Sequence, residues 1–219
     1  ELPWTAQRYT EPQDDGSSRE EIAVLKRHAV CCFTVAQRRL RLVGLHLKSN
    51  PSDPAANAQR MAEVAIVRRI VGRELLPLGY LPIVLGDIND YDPDVPMADA
   101  ERMTRTAVVR NLRDIDPETP GEELINAAAF IPRVADRFSS HWDYNENRAA
   151  DPEDVFTLID HILLDRRLAE GLQRVFICHA SGLEVSDHFP VVVDIDLAAV
   201  PAAMPRALPA PPPAAASSP

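Results

Sequence analysis

Leu81-Pro82-Ile83-Val84-Leu85-Gly86-Asp87-Ile88-Asn89-Asp90 is the stretch on which the reading of this chain turns. Its first five residues form a continuous apolar run, the length of a strand that lies inside a sheet. Such a strand leaves only its end free for polar work, so Asp87 stands at a sheet edge. Gly86 permits close backbone approach, and residues 87 and 89 project to the same side if the chain stays extended. A carboxylate beside a carboxamide can hold a metal, or position a water and a phosphoryl oxygen. Taken alone, Gly-Asp after a strand is as often a plain turn.

Three further segments repeat this pattern of polar groups at the end of an apolar run. Ser186-Asp187-His188-Phe189-Pro190 precedes the alternating residues Val191, Val193 and Ile195. An imidazole has an unperturbed pKa of about 6.5, so His188 can take a proton from water near neutral pH. Neighbouring residues on a strand point opposite ways, which gives Asp187 and His188 different tasks. In Leu158-Ile159-Asp160-His161-Ile162-Leu163-Leu164 a carboxylate sits among apolar residues. A buried carboxylate needs a partner, and the most economical one is an imidazole whose tautomer it fixes. His161 then faces the other way and is structural. Leu45-His46-Leu47-Lys48-Ser49 ends another run, and His46 is either a phosphate contact or a satisfied core histidine.

Between these segments, short β-branched runs predict strands over 21–26, 29–35, 40–47, 81–85, 158–164, 173–178 and 189–195. Met61, Val64, Val67, Val71 and Leu75 fall at steps of three and four, which predicts an amphipathic helix over 54–76, with Arg60 and Arg68 intruding on the apolar stripe. The polar stretch 11–21 reads as a loop. One domain is expected over 1–200. From Pro201 to Pro219 the chain holds seven Pro and seven Ala and can bury almost nothing, which predicts a disordered tail. Strands flanked by helices predict two packed sheets with helices on their outer faces.

Composition narrows the function classes. A formal charge of -10 argues against passive polyanion binding, although a divalent cation can supply local positive charge to an acidic enzyme. Cys31, Cys32 and Cys178 have no zinc-site spacing and read as small core residues. No run approaches the roughly 20 apolar residues of a membrane span. A monomer is expected, and the sequence leaves cytoplasmic and secreted locations open. Asp143, Asn145, Asn147, Asp151 and Asp154 match positions 1, 3, 5, 9 and 12 of a calcium loop, with Arg148 where the turn glycine belongs, so a structural Ca²⁺ stands beside a plain acidic loop.

Taken in order, the four polar strand ends resemble those of the endonuclease/exonuclease/phosphatase superfamily over residues 28–196. The resemblance implies an α/β four-layer α/β/β/α sandwich, two mixed sheets flanked by helices, with the site at one edge. It also implies that His188 is the general base oriented by Asp160, that Asp187 is a metal ligand, that Asp87 and Asn89 position nucleophile and phosphate, and that His46 contacts a phosphate oxygen. Water would attack a phosphoester with Mg²⁺ or Mn²⁺ neutralising the phosphate. Nucleic acid is favoured slightly over lipid or inositol phosphates as substrate.

Family members carry a metal-binding Glu on an earlier strand, and Glu11, Glu20 and Glu21 are poor substitutes for it. The expectation is therefore an N-terminally incomplete domain, the C-terminal two-thirds of the fold. The rival reading is a binding or scaffold protein of the same fold that lacks that Glu. A serine hydrolase using Ser181 or Ser186 is remote, because neither lies in a nucleophile elbow.

Overall fold

The computed structural model describes residues 5–26, 28–97, 99, 106–115, 124–147, 149–180 and 185–201. Arg148, Ser181 and the tail beyond Pro201 lie outside them.

A five-stranded sheet forms the centre. β1 (Ala6–Pro12) and β2 (Ser18–Val24) make a separate hairpin, and the sheet proper begins with β3 (His28–Val35) and β4 (Arg38–His46). β5 (Leu81–Asp87) lies parallel to β4; β9 (Asp160–Leu164) lies antiparallel to β5 and also pairs with the short β6 (Ile125–Asn126). The resulting order is β3-β4-β5-β9-β6. β7 (Ser140–Trp142) pairs with β8 (Val155–Thr157), and β10 (Leu172–Ile177) with β11 (Val191–Ile195), as two further antiparallel pairs. The chain is thus a mixed α/β structure with packed sheets.

Period-two alternation divides the side chains of the central sheet between two cores. On one face Val43, Leu45, Val84 and Leu163 meet α1 (Pro54–Ile70) and the short helix α2 (Val108–Arg113). Asp53 caps α1 by accepting from the Ala55 amide, with Pro54 in the first turn, where its missing N–H costs nothing. Val64, Val67, Ile70 and Val71 are fully buried, each contributing about 1.5–3 kcal/mol by area removed from water. A π-helical turn, Val71–Leu75, continues α1 and carries Leu75 into the same core. On the opposite face Leu40, Leu81 and Leu164 meet Val193 and Ile195 of β11, together with Leu168 of α3 (Arg166–Glu170). An apolar cleft lined by Leu42, Leu85, Ile162, Val193 and Ile195 remains between the two sheets.

Two expectations are corrected. Residues 11–21 are mostly strand: only 13–17 turn between β1 and β2, and Thr10 bonds Glu20 while Arg19 pairs with Glu11 and Glu21. Polar side chains on a solvent-exposed ribbon hide a strand from hydrophobic periodicity. Cys31 and Cys32 are exposed, because β3 is an edge strand whose residues are mostly solvent-facing; only Cys178 is partly buried. Arg60, an intrusion on the apolar stripe in the sequence, is fully buried within it. Among the described residues no helix is long and apolar enough to cross a membrane.

Candidate active site

The parallel register of β4 and β5 sets His46 opposite Asp87, and the antiparallel register of β5 and β9 sets Asp87 opposite Asp160. Directly opposed residues share a face. His46, Asp87 and Asp160 therefore stand in one row on the face turned toward β10 and β11, where the apolar rows beneath them end. His46 Nε2 lies 3.6 Å from Asp87 Oδ2, and His46 is exposed, so it is not a core histidine. Gly86, one residue earlier, has φ +128°, and a Cβ there would lie 2.1 Å from the Leu45 carbonyl oxygen. Only glycine allows β5 to run this close to β4 at the point where Asp87 emerges.

The fourth member comes from the segment entering β11. His188 Nδ1 lies 2.8 Å from Asp160 Oδ2; a carboxylate can only accept, so the proton belongs on Nδ1. The backbone on both sides of His188 is fastened to β7 and the residue before it: His141 N donates to the Asp187 carbonyl at 2.9 Å, and Phe189 N to the Ser139 carbonyl at 2.7 Å. Ser140 and His188 form a bridge of their own, and the Ser186 hydroxyl accepts from His188 N.

Asn89 sits beside the row in the left-handed region, φ 54°, a conformation asparagine tolerates better than most residues. Its backbone amide donates to Asp87 Oδ1 at 2.9 Å, and its side-chain amide to the Leu47 carbonyl at 3.2 Å. Asp187 is exposed and stands apart from the close group. Among the described residues that group is Asp87, Asp160 and His188, one ligand atom from each lying within 4.8 Å of the others.

Charge is unevenly balanced here. Burial raises the Asp87 pKa above the usual carboxylate value, and the negative charge of Asp160 raises it further. The His188 pKa is pushed up to about 9, first by its hydrogen bond to Asp160 and then by the charges of Asp160, Asp87 and Asp187, against a smaller opposing effect of burial. A histidine whose folded pKa lies above its unfolded value stabilises the fold fully below the unfolded value, near 6.5. That contribution falls as pH rises and is gone above about 9. In chelator, the thermal midpoint of the wild type should exceed that of Asp160→Asn most at pH 6 and converge with it by pH ~10. A gap that widened toward alkaline pH would contradict the assignment.

Behind the row lies a buried polar layer. Asp90 is fully buried and takes Arg60 Nε at 3.2 Å and the Thr106 hydroxyl; Asp92 takes Arg113 Nη1 at 3.1 Å and Asn126 Nδ2 at 3.0 Å. Arg60 also donates to the carbonyls of Lys48, Asn50 and Pro51. His161 faces this layer, as its alternation with Asp160 predicts, and lies within bonding distance of the Asp90 carbonyl and of Asn126. The available signal was Arg60 itself, a charge on an apolar helical stripe 30 residues before Asp90.

In the loop over 143–154, Asn145 and Asn147 each donate a side-chain amide to Asp151 Oδ2, at 2.7 and 3.0 Å. Asp154 is buried and meets His141 Nε2 at 2.6 Å, which holds the carboxyl below the usual range.

Neither a family model nor a curated protein sequence matches the chain. Solved structures do. An AP endonuclease from Archaeoglobus fulgidus aligns with TM-score 0.56 at 13% identity, over 88% of this chain and 80% of that one. The 3' phosphatase NExo from Neisseria, bound to a product DNA hairpin, aligns with TM-score 0.52 at 23% identity, over 78% of this chain and 65% of that one. The catalytic domain of Xenopus laevis APE2 aligns with TM-score 0.52 at 18% identity, over 87% of this chain and 53% of that one. The chain has the endonuclease/exonuclease/phosphatase fold. At these identities the likeness is one of fold. The chain spans about two-thirds of the length of the Neisseria protein and about half that of the Xenopus domain. Within the endonuclease/exonuclease/phosphatase fold the row His46–Asp87–Asp160 occupies one end of the sheet sandwich, with His188 reaching it from the second sheet.

Proposed function

We propose that this chain carries the proton-transfer and phosphate-facing groups of a divalent-metal-dependent phosphoesterase. The observation behind the reading is the cross-strand row His46–Asp87–Asp160 with His188 hydrogen-bonded to its last member. Two partly buried carboxylates whose charges oppose each other, with an imidazole beside them, are a donor set that suits a hard cation. Asp87 would hold Mg²⁺ or Mn²⁺, with Asp187 as the further ligand that the resemblance implies; when bound, the ion would supply positive charge to the phosphate and lower the proton affinity of His188.

The side chains then divide the work. Asp160 fixes the His188 tautomer with the proton on Nδ1, which leaves Nε2 as the atom that takes a proton from the attacking water. Asp87 and Asn89 orient that water and the scissile phosphate, and His46 donates to a phosphate oxygen as charge develops on it. Nucleic acid is the favoured substrate class, since the similar structures include an AP endonuclease and a phosphatase seen with DNA.

Supplied with Mg²⁺ or Mn²⁺, the protein is expected to hydrolyse one of DNA, RNA, sphingomyelin or inositol phosphates, with DNA first, and to stop in excess EDTA. Turnover that persists in chelator would overturn the metal-dependent reading; hydrolysis of sphingomyelin alone would overturn the substrate class.

A further inference from the structure

The hydroxyl of Ser139 belongs to no role described so far, yet it lies on the same carboxylate oxygen that His188 uses. Ser139 Oγ is 2.8 Å from Asp160 Oδ2, the atom that meets His188 Nδ1 at 2.8 Å. The serine is fully buried. Its oxygen also accepts from two backbone amides, Asp160 N at 2.9 Å and Ile159 N at 3.2 Å. With both lone pairs occupied by N–H donors, the hydroxyl proton has one direction left, toward the carboxylate. The serine backbone is equally committed. Its N–H donates to the Thr157 carbonyl and its carbonyl accepts from Phe189 N, both at 2.7 Å, so one residue joins β8, the start of β9 and the segment that carries His188.

We infer that Ser139 is a positioning residue for the Asp160–His188 pair. It fixes the carboxylate plane of Asp160 through an O–H···O bond whose direction the two backbone amides enforce, and the orientation of the imidazole follows from that plane. Without the hydroxyl, Asp160 retains His188 as a partner but loses the contact that selects one rotation of its carboxyl group. Neighbours of this kind commonly alter activity by about ten- to a hundredfold without touching substrate. The inference rests on the proposed roles of Asp160 and His188, and its test separates the two.

The full chain and the variants Ser139→Ala and Ser139→Thr are compared in two measurements. The first is the downfield proton NMR resonance of the His188 Nδ1–H, assigned by its loss in His188→Ala. It should shift or broaden in Ser139→Ala and return toward its wild-type position in Ser139→Thr, which retains the hydroxyl. The second is hydrolysis of bis(p-nitrophenyl) phosphate with Mg²⁺, in which Ser139→Ala should lower kcat about tenfold or more with KM within about twofold, and Ser139→Thr should recover most of the loss. An unchanged resonance in Ser139→Ala, or an unchanged kcat in an active enzyme, overturns the inference. A wild type with no hydrolysis overturns the proposed function instead, and the resonance still decides the positioning role. Should Ser139→Thr not fold, Ser139→Cys, a weaker donor of similar size, is expected to fall between wild type and Ser139→Ala.

Discussion

Replacing His188 with alanine is expected to abolish most hydrolysis of a phosphodiester, lowering kcat by about a hundred- to ten-thousandfold, the range for loss of a general base. KM should change far less, because the imidazole is assigned to the attacking water and not to substrate binding. The variant should fold, since His188 is about one-third exposed and the backbone around it is held by β7 whatever the side chain. Asp160→Asn should also lose most of the activity, because an amide neither enforces the proton on Nδ1 nor supplies the negative charge that stabilises the imidazolium. Steady-state kinetics at saturating Mg²⁺ on protein checked by circular dichroism makes the measurement. A folded His188→Ala variant that retained activity within about threefold would remove His188 from the mechanism.

Arg60→Met should have the largest effect on stability. It leaves Asp90 buried without its cation, and breaking one side of a fully buried ion pair costs about 3–5 kcal/mol. Three backbone carbonyls, those of Lys48, Asn50 and Pro51, lose their donor at the same time. Burial already raises the Asp90 pKa, so the orphaned carboxyl should take up a proton and recover part of the loss as pH falls. The double variant Arg60→Met/Asp90→Asn should therefore be more stable than Arg60→Met alone at pH 8. Urea unfolding monitored by tryptophan fluorescence gives both values; a loss below about 1 kcal/mol in the single variant would show that the pair contributes little to the fold.

Much of the candidate site is legible in the sequence because its side chains sit at the ends of apolar runs. Leu81 to Leu85 and Leu158 to Leu164 are long enough to announce strands, and the acids that follow or interrupt them are conspicuous against that background. The cost of leaving a carboxylate among Leu and Ile called for an imidazole beside Asp160, and the family resemblance named His188 as that partner. What could not be read were relations set by packing between distant segments. Arg60 looked like a flaw in a stripe because only the fold brings Asp90 and three carbonyls around it. Ser139 was silent because a serine before a short strand carries no periodic signal. The β1–β2 hairpin was missed for a related reason: its order comes from backbone pairing, and its side chains are polar on a ribbon that buries few of them. Cys31 and Cys32 were misplaced because composition ranks cysteine as an interior residue, whereas exposure on β3 is decided by its position at the sheet margin.

The alignment of His46, Asp87 and Asp160 across three neighbouring strands bears on how such a protein can diverge. Inserting or deleting one residue within β4, β5 or β9 would turn that strand's contribution to the opposite face and dismantle the row in a single step. The connections after β4 and β5 are freer only beyond Pro51 and Asp92, because Lys48, Asn50 and Pro51 serve Arg60 and the residues from Asn89 to Asp92 serve the candidate site and the buried layer behind it. Past those points a lineage can lengthen or rewrite the chain while the proposed reacting groups stay a fixed unit.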